Sequence, residues 1–193
     1  LMAVGLGLVF GLLAALAQLS KFTPLRLLAK IYVDFIRGTP LLVQIFIIYF
    51  ALPAIIGQRI DPFVAAVAAC SINSGAYVAE IFRAGIQAIP AGQYEAAHTL
   101  GMNYVQTMRR IILPQVIRII LPPISNETIT LVKDTSLVYV LAMNDLMRTA
   151  RNLVQRDFSI TPFIVAAVFY LLATLILTLV FERLEKRFSR YDQ

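Results

Sequence analysis

Cysteine is almost missing from this 193-residue chain. Cys70 stands alone inside an apolar run, so neither an internal disulfide nor a cysteine-ligated metal site can be built, and a small core residue is its expected role. Histidine is as scarce: His98, the single one, has no second histidine with which to form a catalytic pair. No G-x-x-x-x-G-K-S/T stretch occurs, which excludes a nucleotide-binding loop of that kind. Nor does any nucleophile, metal or acid-base constellation stand out. The chain carries no cationic flank ahead of its opening apolar stretch, so it does not begin as a signal peptide does, and a short natural N-terminus is expected to be missing. Charge is low at 15%, well under the roughly 25% of a soluble domain.

What is abundant is apolar surface: 59% of residues are hydrophobic and mean hydropathy is +0.77. An all-α integral membrane protein follows, with five spans at about 1–19, 39–56, 62–83, 112–136 and 162–182. Thr39-Pro40, Asp61-Pro62 and Thr161-Pro162 each read as a cap followed by a proline in the first turn. Pro24 opens an amphipathic surface helix, and Pro114, Pro122 and Pro123 are expected to interrupt the fourth span, which is tolerable only beside protein or a wet cavity. The net charge of +6 does not signal nucleic acid, because the basic residues flank apolar runs. They set orientation instead. Lys21, Arg26, Lys30, Arg37, Arg83, Arg109, Arg110, Arg118, Arg183, Lys186, Arg187 and Arg190 fall on one side, and only Arg59, Lys133, Arg148, Arg151 and Arg156 on the other. The N-terminus is therefore expected outside, the C-terminus in the cytoplasm, residues 90–110 in a cytoplasmic loop and 141–160 outside.

That cytoplasmic loop reads Glu95-Ala96-Ala97-His98-Thr99-Leu100-Gly101, then nine residues, then Ile111-Ile112-Leu113-Pro114. This E-A-A-x3-G-x9-I-x-L-P pattern resembles the coupling signature of ABC importer permeases. Arg37 to Gln44, Ala76 to Ile86, Asn126 to Ile129 and Leu131 to Leu137 are similar to the polar amino acid branch of that family, the histidine, arginine and glutamine permeases, from about Lys30 onward. The resemblance implies a type I ABC importer permease fold and a place in the bacterial inner membrane. It also implies two ATPase subunits that bind the ATP, a second permease copy (identical or related) and an extracytoplasmic substrate-binding protein. No cofactor is expected on this chain. Apart from the resemblance, a short helix on a tight loop can dock as a knob, with Gly101 permitting a sharp exit, Ala96 and Ala97 allowing close approach, and Glu95 engaging a basic group. His98 is expected to touch the partner. The bland reading is a helix that merely joins spans.

Ionisable residues at membrane depth usually face a bundle interior or cavity. Asn73, Tyr77 and Glu80 share one face of the third span, and Glu127, Thr130 and Asp134 one face of the fourth. A substrate site for an amino acid is expected between them, on Asn73, Ser74, Tyr77, Glu127 and Thr130. Against this, Glu80 can pair with Arg83, and Lys133 and Asp134 can be solvated at the outer end. The external segment around Asn144 to Arg156 is either a docking site for the binding protein or a surface helix. Two rival functions remain: an ion-gradient-driven secondary transporter using Glu80 and Glu127, and an intramembrane enzyme.

Overall fold

The computed structural model describes residues 1–189, so Arg190, one of the basic residues assigned to the cytoplasmic side, lies outside the described residues. Among these residues all regular structure is helical. The helices are α1 (Met2–Gln18), α2 (Thr23–Arg37), α3 (Leu41–Phe46), α4 (Leu52–Ile56), α5 (Pro62–Gln87), α6 (Ala91–Thr99), α7 (Tyr104–Thr107), α8 (Leu113–Asp134), α9 (Leu146–Asp157) and α10 (Thr161–Ser189). Single wide π-turns join α3 to α4 at Ile47–Ala51 and α7 to α8 at Met108–Ile112, and a tight 3-10 stretch, Thr135–Leu141, follows α8.

Helix α5 is the axis of the packing, touched by α1, α2, α3 and α8. It starts where the sequence says it should, the Asp61 carboxylate accepting the Phe63 and Val64 N–H groups at 2.9 and 3.2 Å. Its buried residues are small, among them Ala65, Ala69, Ser71, Ser74, Gly75, Ala76 and Ala79. Where no water drives helices together, such residues let backbones approach and gain dispersion contacts. Helix α1 exploits this with Gly7, Gly11 and Ala15, spaced four apart and buried against α5. A Cβ on Gly11 would sit 2.6 Å from Val78 Cβ and 3.0 Å from the Ala79 backbone nitrogen, so only glycine fits.

Helices α2 and α3–α4 meet at a 107° bend. Thr39 does not cap α3 as its position suggests: its hydroxyl donates back to the Phe35 carbonyl at 3.0 Å, and Pro40 occupies the cap position without a side-chain bond. The bend leaves the last carbonyls of α2 without helical donors, and a nearby hydroxyl answers that need first. The expected proline interruption is also corrected. Helix α8 runs unbroken through Pro122 and Pro123, with Ile120 and Ser125 buried on either side, and its geometry changes only at Thr135. Neighbouring helices hold a proline-containing helix that would kink alone.

Among the described residues two helices are long and apolar enough to cross a membrane alone, Pro62–Gln87 and Thr161–Phe188, and the bent pair Thr23–Arg37 with Leu41–Ile56 qualifies together. Helix α1 is apolar but has 17 residues, and α8 carries Arg118, Glu127, Lys133 and Asp134. Along α10 the large apolar side chains, such as Val168, Leu172 and Ile176, are exposed on the single chain, as expected of a lipid-facing surface.

Candidate functional site

A cavity of about 540 Å³ opens between α5 and α8. Tyr77, Glu127 and Thr130, three of the five residues expected at a substrate site, line it, together with Glu80, Asn126 and Arg37. Ser74 is buried, and its hydroxyl meets the Glu127 carboxylate across the seam between the two helices. Asn73 goes elsewhere. Its Nδ2 donates to Gln44 Oε1 at 3.0 Å, and both side chains are buried. Asn73, Tyr77 and Glu80 do share a face of α5, but α3 covers the first turn of that stripe and leaves the next two open to the cavity.

Glu80 forms an ion pair with Arg83, the Arg83 Nε donating to Glu80 Oε2 at 3.0 Å, so the pairing alternative is the observed one. Lys133 is exposed at the far end of α8 and Asp134 is half-buried. The sequence reading missed Arg37. The bend at Gly38 swings its guanidinium over the Tyr77 ring, 5.4 Å from the centroid, which brings a cation to the same cavity as Glu127. Arg37 opens the Arg37-Gly38-Thr39-Pro40 stretch, but along the chain it looks like one more flanking cation.

The E-A-A loop has a geometry of its own. Two residues beyond the end of α6 stands Gly101, whose φ of +72° carries the chain out sharply. The Gly101 N–H donates to the His98 carbonyl at 2.9 Å and the Met102 N–H to the Ala97 carbonyl at 3.1 Å, the paired closure that a left-handed residue makes possible. Asn103 and Gln106 then cap the next turn reciprocally, at 2.9 Å in both directions. Glu95, Ala96 and His98 are exposed, whereas Ala97 has no exposed surface. The close approach that Ala97 permits is thus to its own chain. Leu100, Tyr104 and Val105, which motif reading passed over, are 77%, 74% and 70% exposed, leaving an apolar tip beside the helix.

The family profile of binding-protein-dependent transport system inner membrane components matches residues 7–190. The chain belongs to that family. This inner membrane component is 44% identical over 187 residues to the L-cystine transport system permease protein of Bacillus subtilis, covering 96% of this chain and 80% of that one. It is 43% identical over 183 residues to the glutamine transport system permease protein of Escherichia coli K12, covering 94% and 84%. Among solved structures it is similar to an amino acid ABC transporter crystallised with histidines, with a TM-score of 0.89, 42% identity, and coverage of 96% of this chain and 87% of that one. The inward-facing MetNI methionine ABC transporter, at a TM-score of 0.77 and 17% identity, shares the fold. The inner membrane component is therefore an ABC importer permease, and such permeases work with ATPase subunits and a binding protein.

Proposed function

We propose that this permease carries amino acids into the cytoplasm, cationic ones among them, through the cavity between α5 and α8. The observation that carries the reading is that Arg37 and Glu127 both line this cavity, opposite charges that match the carboxylate and ammonium of a zwitterion. Tyr77 and Thr130 supply neutral hydrogen-bonding groups, Ser74 orients Glu127, and Asn73 steadies the wall through Gln44. The cystine, arginine and glutamine permeases among its relatives support this substrate class. Five crossings, formed by α1, the α3–α4 rod, α5, α8 and α10, are read from the order of the apolar segments, with the N-terminus outside by the positive-inside count. Two permease copies, identical or related, enclose the path, and hydrolysis belongs to the ATPase chains.

In the same reading, α6 is the lever. Glu95, Ala96, His98 and the exposed Leu100 seat in an ATPase groove, while Ala97 fastens the knob to its own chain. Gly101→Val tests it, because a β-branched residue in the left-handed region strains the exit although the space beside it is open. In vesicles holding the assembled importer, ATP-driven uptake is expected to fall at least about tenfold while the ATPase subunit stays bound to nucleotide. Uptake at the unmodified rate would remove the lever.

Glu127→Gln tests the cavity. Loss of the charged partner of the α-ammonium is expected to raise the uptake KM about tenfold to a hundredfold for arginine and glutamine alike. An unchanged affinity for both would take Glu127 out of the site, and uptake that persists without ATP would favour an ion-gradient mechanism over an ATP-driven one.

A further inference from the structure

A second, smaller groove of about 360 Å³ lies between the end of α1, the charged side of α2 and the last turns of α5. Arg26, Lys30, Arg37 and Arg83 face it against Asp34 and Glu80, an excess of positive charge. Glu80 is already engaged by Arg83, and among the described residues no carboxylate lies within ion-pair distance of Arg26 or Lys30. On α2, Arg26, Lys30, Asp34 and Arg37 recur at i, i+4, i+8 and i+11, which makes one stripe. Next to it around the helix runs a second stripe of exposed Leu27, Ile31 and Phe35, while Ala29, Val33 and Ile36 are buried against α1 and α5. The groove also contains an orphan: Gln18 Oε1 is shut away from solvent and has no hydrogen-bond partner. A buried acceptor without a donor is costly, so a ligand that brings one is favoured.

We propose that this groove binds an anionic phospholipid with a hydroxylated headgroup. Arg26 and Lys30 hold the phosphate, the Gln18 side chain turns toward the groove so that a headgroup hydroxyl donates to its Oε1, and the acyl chains lie along Leu27, Ile31 and Phe35. Three features select a lipid over a soluble phosphate: the charged and apolar stripes adjoin on one helix, the helix bends by 107° into a membrane rod, and the groove itself is polar. The amphipathic ligand satisfies both stripes at once.

The test uses the assembled importer in mild detergent, exposed to equimolar phosphatidylglycerol, phosphatidic acid and phosphatidylcholine, with retained lipid read by native mass spectrometry. Phosphatidylglycerol is expected to be retained over phosphatidylcholine. The R26Q/K30Q double variant should lower that retention about twenty-five-fold, at roughly fivefold per basic residue near a lipid surface. Both replaced side chains are exposed, so its melting temperature should match that of the unmodified importer. Arg59→Gln, which removes an exposed charge outside the groove, should retain lipid unchanged. Gln18→Leu should erase the preference for phosphatidylglycerol over phosphatidic acid, whose headgroup lacks the glycerol. Equal retention of phosphatidylglycerol and phosphatidylcholine, or full retention by the double variant, overturns the proposal. Displacement of the lipid by millimolar inorganic phosphate overturns it too, by giving the groove to a free anion.

Discussion

Replacing Gly11 by alanine is expected to destabilise the permease by about 3 kcal/mol, the upper end of the usual cost of overpacking. The added methyl would meet Val78 Cβ at 2.6 Å and the Ala79 backbone nitrogen at 3.0 Å. A side-chain tip can rotate away, but here the obstacles are a Cβ and a main-chain atom, so α1 itself must move off α5. That separation loosens the contacts around Gly7 and Ala15 as well, because the three residues form one seam. The measurement is the unfolding midpoint in an SDS titration of the purified complex. Gly5→Ala is the control: it lies on the same helix, nothing stands within 4 Å of the place its methyl would take, and it should be neutral or slightly stabilising. Adding Val78→Ala to Gly11→Ala should return part of the loss, since the two sites share a contact. A Gly11→Ala protein as stable as the Gly5→Ala one would mean that the seam is looser than described.

Gln44→Leu is expected to cost about 2–4 kcal/mol although leucine nearly matches the volume of glutamine. Gln44 Nε2 donates one N–H to the Ile36 carbonyl at 2.8 Å and shares the other between the Thr39 carbonyl at 3.0 Å and the Thr39 hydroxyl at 2.9 Å. Its Oε1 accepts from Asn73. One side chain thus closes the backbone groups that the 107° bend leaves open and ties the bend to α5. Leucine would strand the Ile36 carbonyl and the Asn73 amide in a buried place. Removing both side chains of the Gln44–Asn73 pair, as Gln44→Leu with Asn73→Leu, should recover part of the loss, because no amide is then left without its acceptor. Thermal unfolding of the three variants in one detergent gives the cycle. A Gln44→Leu protein with the unmodified melting temperature would show that water already serves those carbonyls.

Several elements were legible from residues alone, and they have a common character. The start of α5 at Asp61-Pro62 and the left-handed exit at Gly101 are decided within four or five residues of chain, where a side chain and the backbone it serves are already neighbours. The E-A-A helix and the run that became α10 were equally readable. Thr39 shows the limit. Its cap signal was sound by sequence, yet the turn of the chain brought the Phe35 carbonyl nearer than the α3 amides. Pro122 and Pro123 failed for a related reason, because a helix held by its neighbours tolerates what an isolated one does not.

The candidate site divides the same way. Tyr77, Glu127 and Thr130 were found by periodicity, which assigns a helix face without saying what lies opposite. Asn73 has the same periodicity and a different neighbour, Gln44, separated from it by 29 positions in the chain. Arg37 was invisible as a cavity residue because only the bend brings it over Tyr77.

By itself, then, the sequence determined the solvent this protein lives in, the start of α5 and the sharp exit at Gly101. Those properties rest on composition and on hydrogen bonds between near neighbours in the chain. Tertiary structure alone decided which polar side chains face the cavity, which serve the bend, and why Ala97 points inward while Leu100 points out. Burial is a property of two surfaces, and the second surface always came from a distant part of the chain.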